Sequence, residues 1–186
     1  MKYFIIVDMQ NDFVTGTLAC EAAKNSVNAI VAKAKDLKEK GYRIIATRDT
    51  QDAEKYENLP KGVPGPVRHC IKDEKGWEVV DELKDLIDVY VNKHNFTFED
   101  WRGVLNANLF RNPFDIEVVT KDPIETEEIL ICGTRTSIGV IATYENIRLE
   151  FPKTSVNIIP ELCTDDNEEA HKAALQVIKI QNYIKM

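Results

Sequence analysis

Residues 3–7 read Tyr3-Phe4-Ile5-Ile6-Val7, an unbroken apolar run with one acid, Asp8, directly behind it. A half-exposed strand would alternate polar and apolar side chains. A run of this length with no alternation marks a strand buried on both faces, as in parallel sheets covered by helices. The chain downstream repeats the pattern. Val27, Ile30, Val31, Ala34 and Leu37 fall on one helical stripe that Gly41 ends, and Tyr42–Thr47 is a second strand. Residues 50–76, with Pro60, Pro64 and Pro66, read as a long surface loop. A short helix over Trp77–Leu86 leads to a strand at Asp88–Asn92. Residues 96–112 are mixed and include a short helix, and Ile116–Thr120 reads as an added strand or hairpin arm.

Ile129–Cys132 is another buried strand, and Gly133 opens a turn before the stripe Val140, Tyr144, Ile147. Ser155–Ile159 alternates as a strand. The last helix carries Ala170, Ala173, Ala174, Val177, Ile178 and Ile184 on one face. Strands alternating with helices predict an α/β domain over residues 1–186. It is a three-layer α/β/α, Rossmann-like architecture with a mainly parallel sheet of about five to six strands.

Composition narrows the function classes. Lys plus Arg number 24 against 31 for Asp plus Glu, a net charge of −7. That balance argues against a nucleic-acid partner, which needs a basic footprint, and against docking on anionic lipid. No apolar stretch is long enough to cross a bilayer, and Met1-Lys2-Tyr3 runs straight into the first strand rather than into a signal peptide. Cys20, Cys70, Cys132 and Cys163 show no CxxC spacing and read as the reduced thiols of a cytoplasmic protein. Small molecules or other proteins are the expected partners.

In open α/β sheets the ligand crevice lies at the carboxyl ends of the strands. Asp8 ends the first strand, Thr47-Arg48-Asp49 the second, Lys93 the third and Gly133-Thr134-Arg135-Thr136 the fourth. Two acids and a lysine at successive strand ends suggest a site. The same residues also read as a loop cap, Asp8, with Lys93 as its surface ion-pair partner. Spacing alone does not separate the two readings.

At these positions the sequence resembles the isochorismatase-like hydrolases, a superfamily that includes nicotinamidases, other cysteine amidohydrolases and isochorismatases. Val7-Asp8-Met9-Gln10-Asn11-Asp12-Phe13 matches its opening V-D-M-Q-N-D-F. Thr47-Arg48-Asp49-Thr50-Gln51 resembles T-R-D-x-H, and His69-Cys70 with Gly76-Trp77-Glu78 resembles H-C-x-x-G-T-x-G-x-E. Lys93-His94 resembles the strand end with the catalytic lysine, and Cys132-Gly133 through Thr143 the nucleophile turn; His171 also fits. The resemblance implies the isochorismatase-like fold, a small-molecule substrate and a homo-oligomer.

Two departures shape the functional expectation. The amidohydrolase turn reads roughly G-x-x-T-x-x-C-V, and its cysteine is the nucleophile. Here the turn runs from Gly133 to Val140, and Gly139 stands at the cysteine's position. Acyl transfer of that kind needs an aspartate base (Asp8), a lysine (Lys93), a thiolate and turn amides as an oxyanion hole. The chain keeps the base and the lysine and lacks the thiol, and Cys70 and Cys132 read as structural. The second departure concerns metal. The family's Asp, His, His set maps to Asp49, Gln51 and His69. Glutamine is a poor exchange for imidazole, which favours a metal-free pocket over a weak divalent site.

True isochorismatases resemble this chain in an Ile-Gly pair, here Ile138-Gly139. They cleave a vinyl ether, a reaction a carboxylic acid can run without a thiol. One expectation is therefore a hydrolase with Asp8 as acid or base, Lys93 as electrostatic partner, and Phe13, Thr134, Arg135 and Ile138 around the substrate. Phe98 and Trp101 are further candidates for the apolar wall. The alternatives are an inactive relative that binds a small carbonyl or carboxylate, or an oligomer subunit with a decayed pocket.

Overall fold

The computed structural model describes residues 1–57, 67–106 and 126–184. The predicted arm at Ile116–Thr120 and the prolines Pro60, Pro64 and Pro66 lie outside those residues. In chain order the elements are β1 (Lys2–Val7), α1 (Asn11–Val14), α2 (Glu21–Glu39), β2 (Tyr42–Asp49) and α3 (Glu54–Glu57). A 3₁₀ turn at Lys75–Trp77, α4 (Asp81–Lys84), β3 (Val89–Lys93), α5 (Trp101–Asn106) and β4 (Glu128–Thr134) follow. A π-helical turn at Thr136–Val140 leads into α6 (Ile141–Glu150), β5 (Ser155–Thr164) and α7 (Glu168–Ile184).

The described strands form one five-stranded sheet in the order β3-β2-β1-β4-β5, and every pairing is parallel. Tyr3 through Val7 are all buried, as a central strand requires. Crossovers of this kind are right-handed. The sheet grows one way from β1 to β2 and the other way from β4 to β5, so α2 and α6 cover opposite faces. The order reverses between β1 and β4, and a ligand crevice opens where it does so. The stripe read in the sequence is the buried side of α2, with Val27, Ile30, Ala34 and Leu37 inward. Gly41 takes φ +82° just past its end, a conformation open to glycine at little cost.

Three elements differ from the sequence expectation. The helix predicted from Trp77 shrinks to Asp81–Lys84, because residues 78–80 are pulled into extended pairing. Val79 bridges Gln10, and Val80 N–H donates to Met9 O at 3.0 Å. The loop over 50–76 contains α3, the 3₁₀ turn and a bridge from Gln51 to Ile71. Strand β5 continues to Thr164, past the expected end at Ile159 and through Pro160. Its pairing with β4 is interrupted between Ile131 and Gly133, and on this edge strand proline forfeits no ladder bond.

Gly133 is where β4 presses on β1. It takes φ +118°, and a Cβ there would lie 2.1 Å from the Val7 carbonyl oxygen. Backbone strain and overpacking each cost roughly 1–3 kcal/mol. Gly133→Ala is therefore expected to destabilise the fold by about 2–6 kcal/mol, a fall in Tm of about 5–20 °C by calorimetry. An unchanged Tm would contradict the close approach. Among the described residues no helix is long and apolar enough to cross a membrane.

Candidate active site

Parallel register brings the strand ends level. Val7 pairs with Gly133, and Asp49 pairs with Lys93. Asp8 leaves β1 at φ +53°. That left-handed conformation is uncommon outside glycine, although aspartate tolerates it better than most. It turns the carboxyl group into a buried niche. Lys93 Nζ lies 2.7 Å from Asp8 Oδ2, and the Thr47 hydroxyl donates to Oδ1 at 2.6 Å. Both members of the ion pair are almost fully buried, which excludes the reading of Lys93 as a surface partner. Burial pushes the Asp8 carboxyl above the usual aspartate range, and Lys93 and Thr47 pull it down without overcoming that effect.

Side chains at the end of β2 alternate. Thr47 faces Asp8, while Arg48 turns away and lies 3.8 Å over the Trp77 ring and 4.5 Å over that of Tyr90. Gln10 is fully buried and clamps the next residue, accepting from Asp49 N–H at 2.8 Å and donating to Asp49 O at 2.9 Å.

Gly139 lies within the π-helical turn, opposite the ion pair. A Cβ built on it would stand 3.1 Å from Asp8 Oδ2 and 3.2 Å from Val7 Cγ1. The turn is held from behind. Ser137 donates through N–H and hydroxyl to Asp165 Oδ2, Arg135 pairs with Asp166 at 2.9 Å, and His171 Nδ1 lies 2.8 Å from the Thr136 hydroxyl. His171 thus supports the turn and does not line the cavity. The N–H groups of Ile138 and Val140 both donate to Arg135 O, so neither serves the oxyanion hole expected of this turn.

Between these groups lies a cavity of about 370 Å³. Asp8, Lys93, Gly139, Phe13, Thr134, Arg135 and Ile138 all line it, as do Asp49, Gln51 and His69. Phe98 and Trp101 do not. Trp101 is fully buried in the main core, and the apolar wall is completed by Leu18 and Phe96 instead. Leu18, Lys55, Asn95 and Phe96 are lining residues that sequence reasoning missed, and His94, noted only as part of the Lys93-His94 match, lines the cavity too. They come from loops and from α3, where no periodic pattern marks them.

Asp49, Gln51 and His69 do not converge on a cation position. Gln51 Nε2 donates to Asp49 Oδ1 at 2.7 Å, and His69 Nε2 lies 3.1 Å from Asp49 Oδ2. The other His69 nitrogen faces Val67 O at 2.6 Å. Both ring nitrogens thus meet acceptors. The bond to Asp49 raises the His69 pKa, and burial opposes the rise only in part. Burial pushes Asp49 up, but hydrogen bonds from His69 and Gln51, with Lys93 nearby, hold it below the usual range. The Gln51 carbonyl oxygen accepts from the Lys55 ammonium at 2.6 Å. The donor set is spent on itself and on an ammonium, an arrangement that does not fit a divalent metal. Among the described residues no group of three or more His, Cys, Asp or Glu could hold one.

All four cysteines are free and buried. Burial pushes the Cys70 and Cys132 thiols far up, and that of Cys163 up to about 12. None of these three is a nucleophile in waiting.

Comparison with known proteins agrees with this fold. The chain is 30% identical over 120 residues to the nicotinamidase of Saccharomyces cerevisiae, covering 50% of this chain and 54% of that protein. The matched part is thus about half the length of that curated relative. A pyrazinamidase of Pyrococcus horikoshii, solved in complex with zinc, superposes with a TM-score of 0.76 at 25% identity, over 97% of this chain and 95% of that one. A nicotinamidase of Bacillus subtilis superposes with a TM-score of 0.73 at 22% identity, over 96% and 94%. The isochorismatase domain model matches residues 2–185. With almost the whole length matched, the chain belongs to the isochorismatase family of hydrolases.

Proposed function

We propose that this chain hydrolyses a small molecule without a cysteine nucleophile, with Asp8 as the proton donor and Lys93 as its electrostatic partner. One observation carries the reading: the buried Asp8–Lys93 pair faces the cavity beside Gly139, the position that the sequence resemblance gives to the family's cysteine. The reaction class is hydrolysis of a vinyl ether or a related acid-labile bond. Asp8, in its carboxylic acid form, gives its proton to the terminal alkene carbon. The electron pair of the double bond forms the new C–H bond, and an oxocarbenium ion remains. Water adds to the carbon that bears the ether oxygen, and one of the water's protons returns to the Asp8 carboxylate. The hemiketal's hydroxyl proton then passes to the ether oxygen as that C–O bond breaks, releasing an alcohol and a ketone. Lys93 and Thr47 stabilise the carboxylate between the two transfers, and the burial that raises the Asp8 pKa favours the acid form needed at the start.

The test is turnover of purified protein on parallel panels of enol ethers and amides, followed as a function of pH. Enol-ether turnover is expected, with kcat/KM falling as pH rises through the raised Asp8 pKa, because only the protonated fraction donates. A rate that climbs with pH over that range would make Asp8 a base and overturn the acid role. Turnover of amides alone would overturn the reaction class. No turnover, with ligand-induced thermal stabilisation, would support a binding protein instead.

A further inference from the structure

We propose that this cavity selects ligands carrying a carboxylate, and that Lys55 and Arg135 are the groups that hold it. The inference rests on the reading that the cavity beside Asp8 is the ligand site, and it names the class of molecule that enters. Two of the charges lining the cavity are already matched: Lys93 by Asp8 at 2.7 Å, and Asp49 by His69 at 3.1 Å. Lys55 is different. Among the described residues its ammonium meets a neutral acceptor, Gln51 Oε1 at 2.6 Å. A lysine carries three N–H donors, so one such bond leaves donors to spend.

Arg135 adds a second signal. Its Nη1 pairs with Asp166, while its Nε is buried and has no acceptor among the described residues. Buried donors are nearly always satisfied, so the guanidinium that borders the cavity keeps a donor to spend. Both cations line one cavity with Phe13, Leu18, Phe96 and Ile138. That combination suits a small anion with an apolar body.

Benzoate and benzamide form a suitable probe pair, nearly equal in shape and different in charge. Calorimetric titration of the intact protein is expected to show benzoate binding about tenfold tighter than benzamide, as a charge-assisted hydrogen bond would give. Lys55→Met is expected to erase that preference, and Lys55→Arg to keep it. Lys55 is exposed, so the unliganded Tm of both variants should match the parent. Asp8→Asn should retain the benzoate preference even where turnover is lost, which separates this proposal from the proposed reaction. Equal binding of the two probes, or no benzoate binding at millimolar concentration, would overturn it. So would a preference that survives Lys55→Met or disappears with EDTA.

Discussion

Asp8→Asn is expected to lower kcat/KM on any turned-over enol ether by about 10²–10⁴-fold, the usual worth of a positioned proton donor. Asparagine keeps the shape and keeps an oxygen for the Thr47 hydroxyl, which now donates at 2.6 Å. It has no acidic proton to give. It also leaves Lys93 buried beside a neutral group, and breaking a buried pair costs about 3–5 kcal/mol. Activity loss therefore has to be separated from unfolding. The companion is the double variant Asp8→Asn with Lys93→Met, which removes both charges. Its Tm should recover toward the parent value while its turnover stays lost. If Asp8→Asn alone turns over at the parent rate, Asp8 is not the acid. If the double variant regains activity, the loss in the single variant was one of folding.

Gly139→Cys should create a thiol that outcompetes every native one. A Cβ at this position meets only two close contacts, each a side-chain atom that must give by a few tenths of an ångström. The sulfur would project beside the Asp8–Lys93 pair, from a helical turn that runs into α6. An ammonium and a helix start favour the thiolate, and a carboxylate is at hand to take its proton. Lowering a thiol pKa from about 8.5 to about 7 raises the thiolate fraction at pH 7 roughly 15-fold, while intrinsic nucleophilicity falls about fivefold. Iodoacetamide should then label the introduced thiol at least about threefold faster than glutathione, and the buried native cysteines should stay silent. Labelling slower than glutathione would show that position 139 does not face the Asp8–Lys93 niche.

Much of the fold was legible because burial writes itself into the sequence. The apolar run at Tyr3–Val7 sits at the centre of the sheet with all five residues buried, and the Val27–Leu37 stripe is the inner side of α2. Local pattern failed where distant contacts override it. Residues 78–80 have helix-compatible neighbours, yet they pair with residues 9 and 10. The strand expected to end at Ile159 runs on through Pro160, at the edge of the described sheet.

The site divides along the same line. Asp8, Lys93, Gly139, Phe13, Thr134, Arg135 and Ile138 were named from motif order and strand ends, and all of them border one cavity. Motif order carries that information because a parallel sheet collects its strand ends on one side. Lys55, Leu18 and Phe96 had no such signal, since their places depend on how loops fold over the strand ends.

The sequence by itself determined the alternation of buried strands and amphipathic helices, the acids and lysine at the strand ends, and the glycine at position 139. Each is a property of residue type and spacing. Only the tertiary structure decided that Asp8 and Lys93 form a buried pair rather than a surface one. It likewise decided that Asp49, Gln51 and His69 bond to each other and to Lys55. Desolvation and hydrogen-bond partners belong to the environment that distant segments build around a side chain, and that environment sets its charge state and its chemistry.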